Sequence, residues 1–198
     1  VLKLKKIGIT GGIASGKTTA SLLLEKHGAY RISADDVIHQ FLETDPKCIR
    51  GVVSLLGTGI LTDGKVDREA VASIVFSNPG KLRELEAILH PPLFDRIEEE
   101  YQRVKNDKRY SCFVVEVPLV QEIGREGEFD LILIVLSDEK IAKDRFIASG
   151  FSIEEYERRM KRQWDVKKKA EHADVFLSNT GDFFYLEQQI REFIYTLI

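Results

Sequence analysis

The chain has 198 residues, 43% hydrophobic and 31% charged, with 32 acidic against 29 basic side chains and a net charge of −3 at pH 7. That size suits one globular domain, or one with a sub-domain, and buries a core without staples; the acidic balance excludes a global field that would gather nucleic acid. Cys48 and Cys112 stand far apart with no C-x-x-C and no matching histidine spacing, which excludes a disulfide framework and a zinc site and fits a reducing cytoplasm.

In chain order, "VLKLKK" lacks the apolar core of a signal peptide, and the longest apolar run, "LILIVL", falls far short of the ~20 residues of a membrane span. The expectation is a cytoplasmic protein with no membrane partner, a monomer or a weak homo-oligomer. "KKIGIT" (Lys5 to Thr10) predicts a first strand, and Lys17 to His27 a helix with Ala20, Leu23 and Leu24 on one face and Gly28 placed to end it. "AYRIS" predicts a second strand. From about Ala34 to Asn106 the pattern turns to helices and turns ("SNPGK", "HPPL") with no clear strand. "CFVVEV" (Cys112 to Val117) and "DLILIVL" (Asp130 to Leu136) read as strands buried on both faces, and "DVFLS" (Asp174 to Ser178) as a last one. A helical stretch, Ile153 to Glu171, carries Arg158, Arg159, Lys161, Arg162, Lys167, Lys168 and Lys169 against the single acid Asp165 between Arg158 and Lys169. Alternating strands and helices force parallel strands with crossovers, hence an α/β fold.

Between the first strand and first helix, Gly11-x-x-x-x-Gly16-Lys17-Thr18 matches the P-loop. A triphosphate wrapped by backbone N–H groups needs bare backbone where the chain curls closest, and the next helix adds its positive N-terminal end. Gly11, Gly12, Ala14, Ser15, Gly16, Lys17, Thr18 and Thr19 are therefore the expected ATP contacts, with Lys17 reaching the terminal phosphates and the Thr18 hydroxyl a direct ligand for Mg²⁺. No N-K-x-D or D-x-x-G is present, which argues against a GTPase.

A small kinase also needs a carboxylate at the carboxyl end of a neighbouring strand and mobile cations that close over the phosphates. Asp35, after the second strand, supplies the carboxylate, although Ser33-Ala34-Asp35-Asp36 also satisfies a helix capping box. Glu116 closes another strand, where it either holds Mg²⁺ through water, contacts the acceptor, or is an end-of-strand acid facing solvent. The basic run reads as a solvated helix face or a lid. Its aromatic interleaving, Tyr156 and Trp164 alone, is too sparse for a nucleic-acid site. Cys48, Cys112, Met160 and Trp164 read as packing residues.

Five collinear segments carry a family resemblance: "ITGGIASGKTTA", "GAYRISADDVIHQF", "LTDGKVDREAVASIVFSNPGKLRELEAILHPPL", "VVEVPLVQE" and "ADVFLSNTG". Together they resemble the dephospho-CoA kinases. The resemblance implies a P-loop parallel sheet flanked by helices, with a core over 1–33, 107–138 and 174–198, a helical acceptor-binding insert over 34–106 and a lid over 139–173, all one domain. It implies transfer of the ATP γ-phosphate to the ribose 3′-hydroxyl of dephospho-CoA, with ATP and dephospho-CoA as small-molecule partners. Asp35 becomes the catalytic carboxylate, and Asp63, Arg68, His90 and Glu116 become acceptor-side residues, although "TDG" is equally a plain turn and His90 equally a helix-end cap. Asn179 and Gly181 fall near the adenine, although they equally form a plain turn after the last strand, and Arg145 and Arg159 become lid cations. Two departures stand out: Ser33-Ala34-Asp35 where the family carries D-A-D, and Ser149 where R-x-x-x-R would end in arginine. Another small P-loop kinase and a non-catalytic ATP- or CoA-binding module remain the alternatives.

Overall fold

The structure is a computed structural model that describes residues 3–197, so Val1 and Leu2 of "VLKLKK" and Ile198 of the last core segment lie outside the described residues. Each predicted strand forms, usually one residue shorter at its start. β1 (Lys6–Gly11) leads into α1 (Lys17–Lys26), which ends where Gly28 turns left-handed at φ 98°, with its N–H on the Glu25 carbonyl and the Ala29 N–H on that of Leu24. This pair of bonds is a Schellman cap, which glycine permits because it has no Cβ. β2 (Tyr30–Ser33) follows.

Residues 34–102 form one of two compact units, slightly shorter than the expected insert. α2 (Ala34–Thr44), α3 (Pro46–Leu56), α4 (Arg68–Ser77) and α5 (Pro79–Val104) pack around Leu42, Val52, Ile60, Val71, Val75 and Leu89. Side chains that accept first-turn N–H groups start three of them: Asp45 for α3, Asp67 for α4 and Asn78 for α5. Two expectations need correction. A small antiparallel hairpin, β3 (Leu61–Thr62) with β4 (Lys65–Val66), stands where no strand was predicted; two residues per strand carry too little alternation to read. "HPPL" is not a turn, since α5 runs through Pro91 and Pro92. The buried residues Leu85, Leu89, Leu93 and Ile97 recur every four positions across them. Burial of that stripe outweighs the loss of two N–H donors.

The second unit holds residues up to Ser33 and from Arg103 onward. β5 (Phe113–Glu116), β6 (Leu131–Leu136) and β7 (Val175–Ser178) join β1 and β2 in a five-stranded parallel sheet of order β2-β5-β1-β6-β7. α6 (Glu139–Ala148), α7 (Ile153–Met160) and α8 (Val166–Glu171) lie between β6 and β7 in sequence, and α9 (Phe183–Tyr195) packs on α1. Ile7, Ile9, Leu24, Leu133, Val135, Leu177 and Ile190 form the core beside the sheet. The expected single helical stretch from Ile153 to Glu171 is two helices, because Asp165 accepts the Lys167 N–H and starts α8 afresh. Among the described residues no helix is long and apolar enough to cross a membrane.

Candidate active site

β1 ends in the phosphate-loop motif. Gly11 has φ 150°, and a Cβ there would lie 2.5 Å from the Val135 carbonyl oxygen; Gly16 has φ 97°, and its Cβ would overlap the Asn179 amide. Side chains are thus excluded on both flanks of the curl, while Ala14 takes φ 51° between them. Asn179 donates from Nδ2 to the Ser15 carbonyl at 2.8 Å, tying the loop to the end of β7. The buried Ser15 hydroxyl makes no hydrogen bond within the described residues, a donor facing a loop already suited to an anion. Gly16 opens α1 without a side-chain cap. The first-turn N–H groups of a helix lack intrahelical acceptors and attract negative charge. Lys17 Nζ donates to the carbonyls of Gly12 at 2.7 Å and Gly11 at 3.2 Å, which lays the ammonium along the loop.

The parallel register fixes the next layer. Thr18 on α1 donates from Oγ1 to Glu116 Oε1 at 2.6 Å, and Ser21 Oγ lies 2.9 Å from Oε2. Arg31 on β2 donates from Nη2 to Oε2 at 3.1 Å and from Nε to Ser21 Oγ at 2.8 Å. Glu116 is 7% exposed, so the solvent-facing reading of this acid is wrong: α1 covers that face of the strand. With its proton committed to Glu116, the Thr18 oxygen keeps its lone pairs for a cation. Such a hard-oxygen pair fits Mg²⁺, which takes one or two protein oxygens, phosphate oxygens and water.

A cavity of about 200 Å³ adjoins the loop, lined by Gly16, Thr19, Arg145, Asn179, Gly181 and Phe183 among others. Arg145 Nη1 reaches the Asn179 carbonyl at 3.2 Å, so one of the two arginines expected in a lid stands beside the two residues expected near adenine. Arg159 instead lies over the rings of Phe146 and Phe151, 5.4 and 4.9 Å from their centroids, and pairs with Glu155. Ser149 caps α6, its hydroxyl donating to the Arg145 carbonyl at 2.9 Å. The basic run is not uniformly solvated. Lys169 is fully buried, its Nζ 2.8 Å from the Pro118 carbonyl, 2.9 Å from Glu122 Oε1 and 3.3 Å from Thr10 Oγ1. Burial pulls its ammonium below the usual lysine range against the opposing pull of Glu122.

The remaining candidates lie in the helical unit. Asp35 and Asp36 occupy the first turn of α2, with Asp35 exposed. Asp63 and Gly64 turn the β3–β4 hairpin at φ 51° and 77°, both left-handed as a tight type I′ turn requires, which accounts for "TDG" structurally. Arg68 is the exposed first residue of α4. His90 is half-buried in mid-α5, so it does not cap a helix end; the stripe through the prolines carries the helix past it.

Sequence reasoning missed Arg31, Ser21 and Glu122, and read Lys169 only as one member of the basic run. Arg31 and Glu116 are 85 positions apart, and Lys169 and Thr10 159, beyond any local pattern. The available signal was an arginine inside an otherwise apolar strand.

With this geometry in view, the sequence profile of the dephospho-CoA kinases matches residues 5–184. The dephospho-CoA kinase of Chlamydia pneumoniae is 41% identical over 198 residues, covering 100% of this chain and 98% of that protein. The crystal structure of TT1252 from Thermus thermophilus superposes with a TM-score of 0.81 at 31% identity, covering 97% of each chain. The dephospho-CoA kinase from Campylobacter jejuni gives 0.64 at 24%, with 96% of each covered, and shows the fold. A profile running from the strand before the phosphate loop into α9, joined by a relative alike from end to end, means that the chain belongs to the dephospho-CoA kinase family.

Proposed function

We propose that this chain transfers the γ-phosphoryl group of ATP to the ribose 3′-hydroxyl of dephospho-CoA, giving coenzyme A and ADP. The observation that carries the reading is the closed phosphate loop with its Thr18–Glu116 pair in a chain of this family. Donor binding falls to the loop N–H groups and to Lys17, whose flexible stem swings from the Gly11 and Gly12 carbonyls to the phosphates. Asn179, Gly181 and Arg145 take the adenine side. Thr18 would hold Mg²⁺ directly through its hydroxyl oxygen, and Glu116 would hold it through water. Mg²⁺, when bound, neutralises charge on the β- and γ-phosphate oxygens.

Asp35 orients the acceptor hydroxyl. A carboxylate of ordinary pKa near 4 cannot deprotonate a ribose hydroxyl beforehand, so it takes the proton late, as the bond to phosphorus forms. Asp63, Arg68 and His90 are assigned to the acceptor side, and Arg159 to charge in the transition state. Ser149 leaves one fewer arginine for that task.

The test is a coupled ADP-release assay with dephospho-CoA, adenosine, AMP and shikimate in parallel. Turnover is expected with dephospho-CoA alone, and Asp35→Asn should abolish it while ATP affinity holds. Turnover with AMP instead would overturn the reading. Binding of both substrates without ADP release would mark a non-catalytic module.

A further inference from the structure

Arg31 has no place in the chemistry so far, yet the strand register aims it at the metal-facing carboxylate. It pairs with Val114, and Ser33 with Glu116, so Glu116 lies two residues along the partner strand on the face Arg31 shares. Side chains at such diagonal positions meet when one is long. α1 covers this face with Thr18 and Ser21, and the Arg31 side chain keeps 14% of its exposure.

The contacts form a network, in which the Ser21 hydroxyl also lies 3.0 Å from the Thr18 carbonyl oxygen. Glu116 Oε1 takes the Thr18 hydroxyl at 2.6 Å, while Oε2 takes Arg31 Nη2 at 3.1 Å and lies 2.9 Å from Ser21 Oγ. Ser21 Oγ also accepts Arg31 Nε at 2.8 Å, so one planar guanidinium fixes the carboxylate both directly and through a hydroxyl. Both anchors hold Oε2, which leaves Oε1 for the Thr18 hydroxyl. A carboxylate this buried would otherwise lack a cationic partner and swing toward the nearest one. The outer partner of a metal ligand sets that ligand's orientation and hence the affinity.

We infer that Arg31 is a positioning residue for the metal–nucleotide complex: it locks Glu116 against Thr18, and the gain in nucleotide affinity that Mg²⁺ brings depends on it. The inference rests on the reading of Thr18 and Glu116 as the metal-facing pair.

The test measures ADP affinity by calorimetry, once with Mg²⁺ and once with EDTA, in the parent protein and in Arg31→Met, Arg31→Lys, Ser21→Ala and Glu116→Gln, with melting temperatures recorded. Arg31→Met is expected to lose about tenfold or more of the Mg²⁺-dependent gain, while its affinity in EDTA stays within about twofold, as for a change that leaves the phosphate loop intact. Arg31→Lys should recover part of the gain, because a single ammonium cannot copy the fork. Ser21→Ala removes one of the two routes and should lose a smaller share, which keeps the inference testable if Arg31→Met does not fold. Equal losses with Mg²⁺ and with EDTA would reduce Arg31 to a structural role and overturn it. So would an unchanged gain in Arg31→Met and Ser21→Ala where Glu116→Gln loses it. If the parent shows no Mg²⁺ gain, or Glu116→Gln keeps it, the metal-facing pair itself has been misread.

Discussion

At Gly16 two independent constraints coincide: the backbone is left-handed at φ 97°, and the space beside the α-carbon belongs to the Asn179 amide. Gly16→Ala pays a left-handed penalty of about 1–2 kcal/mol and pushes Asn179 off the Ser15 carbonyl. Thermal melting should report that loss, and nucleotide titration a weaker complex; full affinity in the variant would show that the Asn179 tie does not shape the loop. The glycine spacing was legible in sequence because the demand is local: bare backbone around a phosphate shows in the eight residues from Gly11 to Thr18. Resemblance drew attention to Asn179 as an adenine-side residue, but its packing against Gly16, 163 positions away, was not legible. Arg31 left a weaker trace. A single arginine in "AYRIS" has no periodicity and gains its meaning only when β5 brings Glu116 alongside.

Two helices of the helical unit, α3 and α4, owe their starts to side chains that also titrate. Asp45 and Asp67 each accept two first-turn N–H groups, and those bonds hold their carboxyls below the ordinary 3.8. A carboxyl depressed in the folded state releases its proton more readily there than in the unfolded chain. Its contribution is therefore complete above pH 3.8 and lost as pH falls through the lowered folded values. Unfolding of the Asp45→Asn/Asp67→Asn protein, whose caps no longer titrate, should show a shallower acid loss than the parent between pH 5 and about 2; parallel curves would contradict this. These caps were present in sequence as aspartates ahead of apolar runs, yet α5 was misjudged because proline rules are local and burial is not. The four-residue stripe from Leu85 to Ile97 was the better guide.

Across the whole molecule, the two cysteines are free and buried, one in each compact unit. Burial raises both thiols, that of Cys112 to about 11, and so disfavours the reactive thiolate at each. Treatment with an aromatic disulfide reagent should leave the native protein unlabelled and label both thiols in concentrated guanidinium. Rapid labelling of the native protein would mean that one unit opens readily. The α/β class was legible from alternating strand and helix patterns, but the strand order was not, because apolar runs do not name their neighbours.

That order, β2-β5-β1, bears on how the chain is made. The strand between β1 and β2 is supplied after the helical unit has been threaded out, so until β5 is made those two strands have no middle. Residues 34–102 are contiguous and can close their own core meanwhile. Nascent chains stopped before Phe113 then carry two orphan strands with open edges, which recruit other chains. Translation past Glu116 gives the two strands their middle, and the phosphate loop waits further for Val135 and Asn179.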